Sequence, residues 1–135
     1  MANAVYDKAR KAFLDKDIDM LDDNIKVVLV DTADYTVDLA AHDFLDDVPS
    51  DARVATSDNL SNKSTTGGVF NADDVTFASV TGDQAEALII YRDSGSASTS
   101  QLIAYIDTST GLPVTPNGGN IGVVWDNGSN KIFKL

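Results

Sequence analysis

The chain has 135 residues and a mass of 14.3 kDa, enough for one domain with a core of its own. It contains no cysteine, which excludes a disulfide scaffold, a thiolate zinc site, an iron–sulfur centre and a thiol nucleophile. Its net charge of -11 and pI of about 4.1 disfavour direct binding of nucleic acid or of an anionic membrane, both of which need clustered Lys and Arg. Of the 21 acidic residues, Glu86 is the only glutamate. Aspartate caps and turns well and propagates helix poorly, so the acidity speaks for many turns between short strands.

In chain order, residues 3 to about 16 read as one helix, capped by Asn3, with Val5, Ala9, Ala12, Phe13 and Lys16 along one stripe. Lys8, Arg10 and Lys11 lie on its other faces and form the one cationic cluster of the sequence. No apolar core segment or small-residue cleavage site suggests a secretory signal here. Residues 15–24 form an acidic connector with Met20 and Leu21 as apolar anchors. The run IKVVLVD (25–31) is β-branched and continuous, as in a strand buried on both faces. A short extended piece over 35–39 follows, then HDFLDDV (42–48) as one or two helical turns ended by Pro49, and a short strand over 53–56.

From residue 57 the texture is all-β. A polar loop or edge strand leads to Val69–Phe70, an NADD turn and the alternating DVTFASV (74–80). AEALIIYRD (85–93) and QLIAYID (101–107) are the clearest strands, joined as a hairpin by the small-residue loop between them. After a Pro/Gly turn region (111–119), NIGVVWD (120–126) and NKIFKL (130–135) are expected to form a last hairpin across NGS. The pattern lacks strand–helix alternation. It predicts a mainly β, single-domain antiparallel β-sandwich, or a barrel-like variant, with an N-terminal α-helix and connector over 1–20 and the β body over 25–135.

The sequence offers little catalytic chemistry. His42 is the single histidine, beside Asp43, and no Gly-x-Ser-x-Gly elbow accompanies it; a capping or packing role is the expectation. Asp15, Asp17 and Asp19 space like the first three ligands of an EF-hand loop, but Met20 stands where the loop needs glycine and Lys26 where it needs a bidentate glutamate. Asp46–Asp47 with Asp51, and Asp73–Asp74, could supply oxygen ligands to Ca²⁺ at an interface, against the plainer reading as solvated turn residues. Gly67–Gly68 and Gly118–Gly119 do not open a helix after a strand, so no phosphate cradle is supported. Tyr91, Tyr105, Trp125 and Phe133 fall within strand patterns and read as core. The expectation is therefore a non-enzymatic binding or structural module without cofactor or bound metal.

The segments HDFLDDV, ADDVTF, ALIIYRDSG…SQLIAYID and the closing IFKL carry a resemblance to small virion structural proteins of tailed bacteriophages, of the capsid decoration, cement or head-fibre-base type. The resemblance covers nearly the whole chain and rests on strand texture, without a site motif. It implies a protein made in the host cytoplasm and placed on the outer capsid surface. Its implied partners are the major capsid protein or other virion proteins, with homo-oligomers common. A tail or fibre component that binds host-surface glycan, with or without Ca²⁺, is the alternative; a small hydrolase using the Asp pairs is a third. The residues expected to meet a partner are Lys8, Arg10 and Lys11 on the helix and Ser94, Ser96 and Ser98 in the loop over 94–100.

Overall fold

The structure, a computed structural model, describes residues 3–108, 111–125, 128–129 and 131–135. It is mainly β, as expected. Its centre is a five-stranded antiparallel sheet in the order β1-β7-β6-β2-β3, formed by β1 (Ala4–Val5), β2 (Ile25–Val30), β3 (Arg53–Thr56), β6 (Ala87–Arg92) and β7 (Leu102–Ile106). Two two-stranded antiparallel ribbons complete the β structure, β4 (Val69–Phe70) with β9 (Phe133–Lys134) and β5 (Val75–Phe77) with β8 (Ile121–Val123).

The β-branched run of β2 sits in the middle of this sheet because both of its faces are covered. Pairing of Val27 with Ile90 and Leu29 with Leu88 puts these four side chains on one face; Val28 with Ile89 and Val30 with Ala87 share the other. All eight are essentially inaccessible to solvent. Leu29 and Leu88 share a small cavity with Ile121 and Val123, so the β5–β8 ribbon forms a layer over the first face. On the other face, the Tyr105 ring lies 6.5 Å from that of Tyr35, which belongs to the irregular connection over 31–52. This connection contains 3₁₀ turns at Leu45–Asp47 and Ser50–Ala52. The alternating burial from Tyr35 to Leu39 is present, but the segment pairs with no strand.

Three expectations are corrected. The helix α1 spans Asp7–Leu14, shorter than 3–16, and Asn3 does not cap it. Asn3 Oδ1 accepts the N–H groups of Asp107 and Thr108, and Ala4 and Val5 pair with Tyr105 and Ala104. The edge of β7 thus claims these residues before a helix can, and extended Tyr6 takes the N-cap position. The helix ends with Lys16 at φ 68, while Lys16 N–H bonds Phe13 O and Asp17 N–H bonds Ala12 O, a Schellman closure with lysine where glycine is usual. In the connector, Ile18 and Met20 are the buried anchors and Leu21 is 49% exposed; Arg92 Nη1 pins the segment by donating to Asp17 O at 2.6 Å.

The third correction concerns the expected last hairpin. The strands over 121–123 and 133–134 do not pair with each other. Each joins an earlier strand, Phe77 opposite Ile121 and Phe70 opposite Phe133, where the rings of the latter pair meet at 5.4 Å. The alternation read over 74–80 also breaks after Phe77: Ser79 turns to φ 49 and Val80 is buried. Asp126, Asn127 and Asn130 of the expected turn lie outside the described residues.

Candidate functional site

The helix cations are exposed but largely answered within their own helix. Arg10 Nη1 lies 3.6 Å from Asp7 Oδ1, and Lys11 is paired with Asp15, whose carboxylate raises the lysine's pKa. Lys8 and Lys11 border a shallow depression with Asp43 on its far side. The serine loop is knit to itself. Ser94 Oγ meets Thr99 Oγ1 at 2.6 Å and Ser100 Oγ at 3.2 Å, and Ser96 Oγ meets Ser98 Oγ at 3.0 Å. It docks on the turn over 43–47, where Asp46 N–H donates to Ala97 O and Leu45 N–H to Ser100 O. The two expected contact regions therefore flank one acidic turn.

In that turn Asp43, Asp46 and Asp47 bring carboxylate oxygens within 4.8 Å of one another. Asp43 takes the place expected for Asp51, which is exposed on the next turn. Burial and then the neighbouring Asp47 raise the Asp43 carboxyl above its ordinary range. Burial pushes the Asp47 carboxyl up, but hydrogen bonds from the Asp43 N–H (to Oδ2 at 2.8 Å), the Asp43 side chain and the Phe44 N–H, with His42 nearby, together hold it below its ordinary range. Among the other acidic residues singled out in the sequence, Asp19 and Asp74 accept backbone N–H groups and Asp73 accepts from side chains. Asp19 Oδ1 accepts the N–H groups of Leu21 and Asp22. Asp73 Oδ2 accepts from Ser61 and Asn62, and Asp74 Oδ1 accepts Trp125 N–H.

His42 has the packing role. Its Nδ1 meets the Tyr35 hydroxyl at 2.8 Å, and that hydroxyl meets the Tyr6 hydroxyl at 2.9 Å. The chain of groups fastens the start of α1 to the layer over the sheet.

The feature the sequence reading missed is an apolar groove of about 360 Å³ between the end of α1 and the β4–β9 ribbon. Phe13, Ile18 and Met20 form one wall, Phe70, Phe133 and Leu135 the other. Leu21 lines it at 49% exposure and Leu135 at 58%; Leu14, at the end of the helix, is 88% exposed. Its residues come from distant parts of the chain, so the only signal available beforehand was Leu14 and Leu21, two large apolar side chains in an otherwise charged stretch. Comparison with protein-family models and with curated proteins gives no match to this chain.

Proposed function

We propose that the chain is a structural protein of a tailed-phage virion that binds the outer capsid surface as a decoration or stabilising protein. The observation that carries this reading is the apolar groove with its exposed leucines on a chain of net charge -11. A strongly acidic surface keeps copies apart in solution, and an open apolar groove is the part of such a surface that gains from burial against a protein. The resemblance supplies the setting. Its segments form the acidic turn, β5, the β6–β7 hairpin and β9, and β9 contributes Phe133 to the groove. The acidity also suits the outer side of a shell, away from packaged DNA.

The test is quantitative mass spectrometry of purified particles with heads and tails separated. The expected result is this chain in the head fraction, at a copy number comparable with that of the major shell protein. Recovery at low copy with the tails would replace the decoration reading by the tail or fibre one, and absence from particles would overturn both.

A further inference from the structure

The hydrogen-bonded series that ties His42 to α1 can run in only one direction while the imidazole is neutral. Nδ1 faces two donors, the Asp38 N–H at 3.3 Å and the Tyr35 hydroxyl at 2.8 Å. An amide N–H can only donate, so Nδ1 is an acceptor and the ring's one proton is on Nε2. Tyr35 gives its proton to Nδ1 and therefore accepts from the Tyr6 hydroxyl at 2.9 Å. Tyr6 takes the N-cap position of α1 and is fully buried, and the next N–H, that of Asp7, bonds Leu39 O in the segment that carries Tyr35 and His42. His42 itself is half-buried, within reach of solvent protons.

We infer that His42 is an acid-operated catch: a proton taken up at Nδ1 releases Tyr35, and with it the start of α1, while the central sheet stays closed. Protonation takes the acceptor away from both donors. If the ring stayed in place, Nδ1–H would oppose the Asp38 N–H, and Tyr35 would accept from the ring and donate to Tyr6. The Tyr6 hydroxyl would then be a buried donor with nothing to receive it, which is costly. Leaving Tyr35 avoids this, because carboxylates are better partners for an imidazolium than a phenol. Asp38, Asp43, Asp46 and Asp47 are the carboxylates of its own segment, and attraction to His42 is one of the causes that hold Asp47 below its ordinary range. From α1, Lys8 and Lys11 stand across the shallow depression bordered by Asp43, and Lys11 is already paired with Asp15. From the sheet side the ionisable groups are phenols, Tyr35 with its ring 5.4 Å from the imidazole and Tyr105 of β7 behind it. The sheet contains no histidine of its own, since His42 is the single one in the chain.

The catch stands apart from the virion reading, because it is measured on the isolated chain and particle composition does not bear on it. The experiment is NMR on the full chain between about pH 8 and about pH 5.5, across the ordinary imidazole range and above that of the carboxylates. Two-bond nitrogen–proton correlations of the ring should show the Nε2–H form at the upper end. Hydrogen exchange should show the protection of the Asp7 and Arg10 amides falling at least about fivefold toward the lower end, with Ile90 in β6 unchanged. His42→Asn places an amide oxygen near the Nδ1 position, accepts at every pH and should abolish the fall. Tyr35→Phe, which cuts the link, should give low protection at both ends, and it decides the matter if the first variant does not fold. An Nδ1–H form at the upper end, protection that does not change with pH, or the same fall in His42→Asn, which would assign it to Asp43 and its neighbours, would overturn the proposal.

Discussion

The hydrogen-bonded series Tyr6–Tyr35–His42 has a direction that a single backbone group fixes. The N–H of Asp38 also points at His42 Nδ1, at 3.3 Å, and an amide N–H can only donate. Nδ1 is therefore an acceptor, the Tyr35 hydroxyl donates to it, and the Tyr6 hydroxyl donates to Tyr35. Tyr6 is fully buried, and burial drives its phenol pKa far above the ordinary range; the same cause pushes Tyr35 up to about 12. The two phenols are then unequal in what their loss leaves behind. Tyr35→Phe orphans the buried Tyr6 hydroxyl and takes one donor from His42, and should cost about 2–3 kcal/mol. Tyr6→Phe leaves Tyr35 donating to His42 and should cost about 1 kcal/mol. Adding Tyr6→Phe to Tyr35→Phe should recover stability, since no buried donor is then left over. Urea denaturation of the two single variants and the double variant measures this; a larger loss from Tyr6→Phe would mean that the donors run the other way.

At the scale of elements, the β6–β7 hairpin is anchored at its turn by Asp93. Its Oδ1 accepts the N–H of Gly95 at 3.0 Å, and its Oδ2 lies 3.0 Å from Lys26 Nζ on the neighbouring β2. The Gly95 N–H first, and Lys26 second, hold this carboxyl below its ordinary range. A depressed carboxyl pKa contributes stability that is present above the unfolded-state value, about 3.9, and is lost as pH falls through the folded-state value. Asp93→Asn should therefore lower stability at pH 7, by no more than about 1 kcal/mol for a pair still partly in water. The difference from the parent chain should close as pH falls through the folded-state value. Urea midpoints at neutral and acid pH test this, and a difference of the same size at both would assign the effect to the turn's shape instead of its charge. This hairpin and β2 were legible in the sequence because aliphatic runs such as ALIIY can only be buried, and small residues separate the hairpin's strands. The partners of β4, β5, β8 and β9 were not legible, since strands of two or three residues carry too little pattern to choose a mate across long sequence separations. The early start assigned to α1 failed for a related reason: Ala4 and Val5 suit a helix stripe, and only the open edge of β7 makes them a strand. Lys8, Arg10 and Lys11 were read correctly as exposed, but a sequence cannot show that Asp7 and Asp15 answer two of them.

For the whole molecule, the question is which surface a partner would cover, and charge and apolarity give different answers. The cationic helix face is the place where an acidic chain would attract an acidic shell, yet two of its three charges are already paired. Exposed ion pairs of this kind steer encounters more than they hold complexes together. The groove gains by burial: covering Leu21 and Leu135 on its lining, and Leu14 next to Phe13 at the end of the helix, removes apolar surface from water at roughly 25 cal/mol per Å². It also lies at the end of the same helix, with Lys16 on its lining. The two surfaces can be separated by substitutions that spare the fold. Leu14→Asp with Leu21→Asp alters exposed side chains and should change stability by no more than about 0.5 kcal/mol each. Phe133→Ala would be a poor probe, because it also breaks the ring contact with Phe70. If the groove is the docking surface, the double leucine variant should occupy particles lacking the native protein at least about tenfold less well, the equivalent of losing roughly 1.4 kcal/mol of binding. Replacing Lys8, Arg10 and Lys11 by Glu should then slow attachment at low salt and leave final occupancy nearly unchanged. The reverse ranking, full occupancy for the leucine variant and loss for the charge variant, would move the docking surface to the outer face of α1 and its acidic neighbour at Asp43.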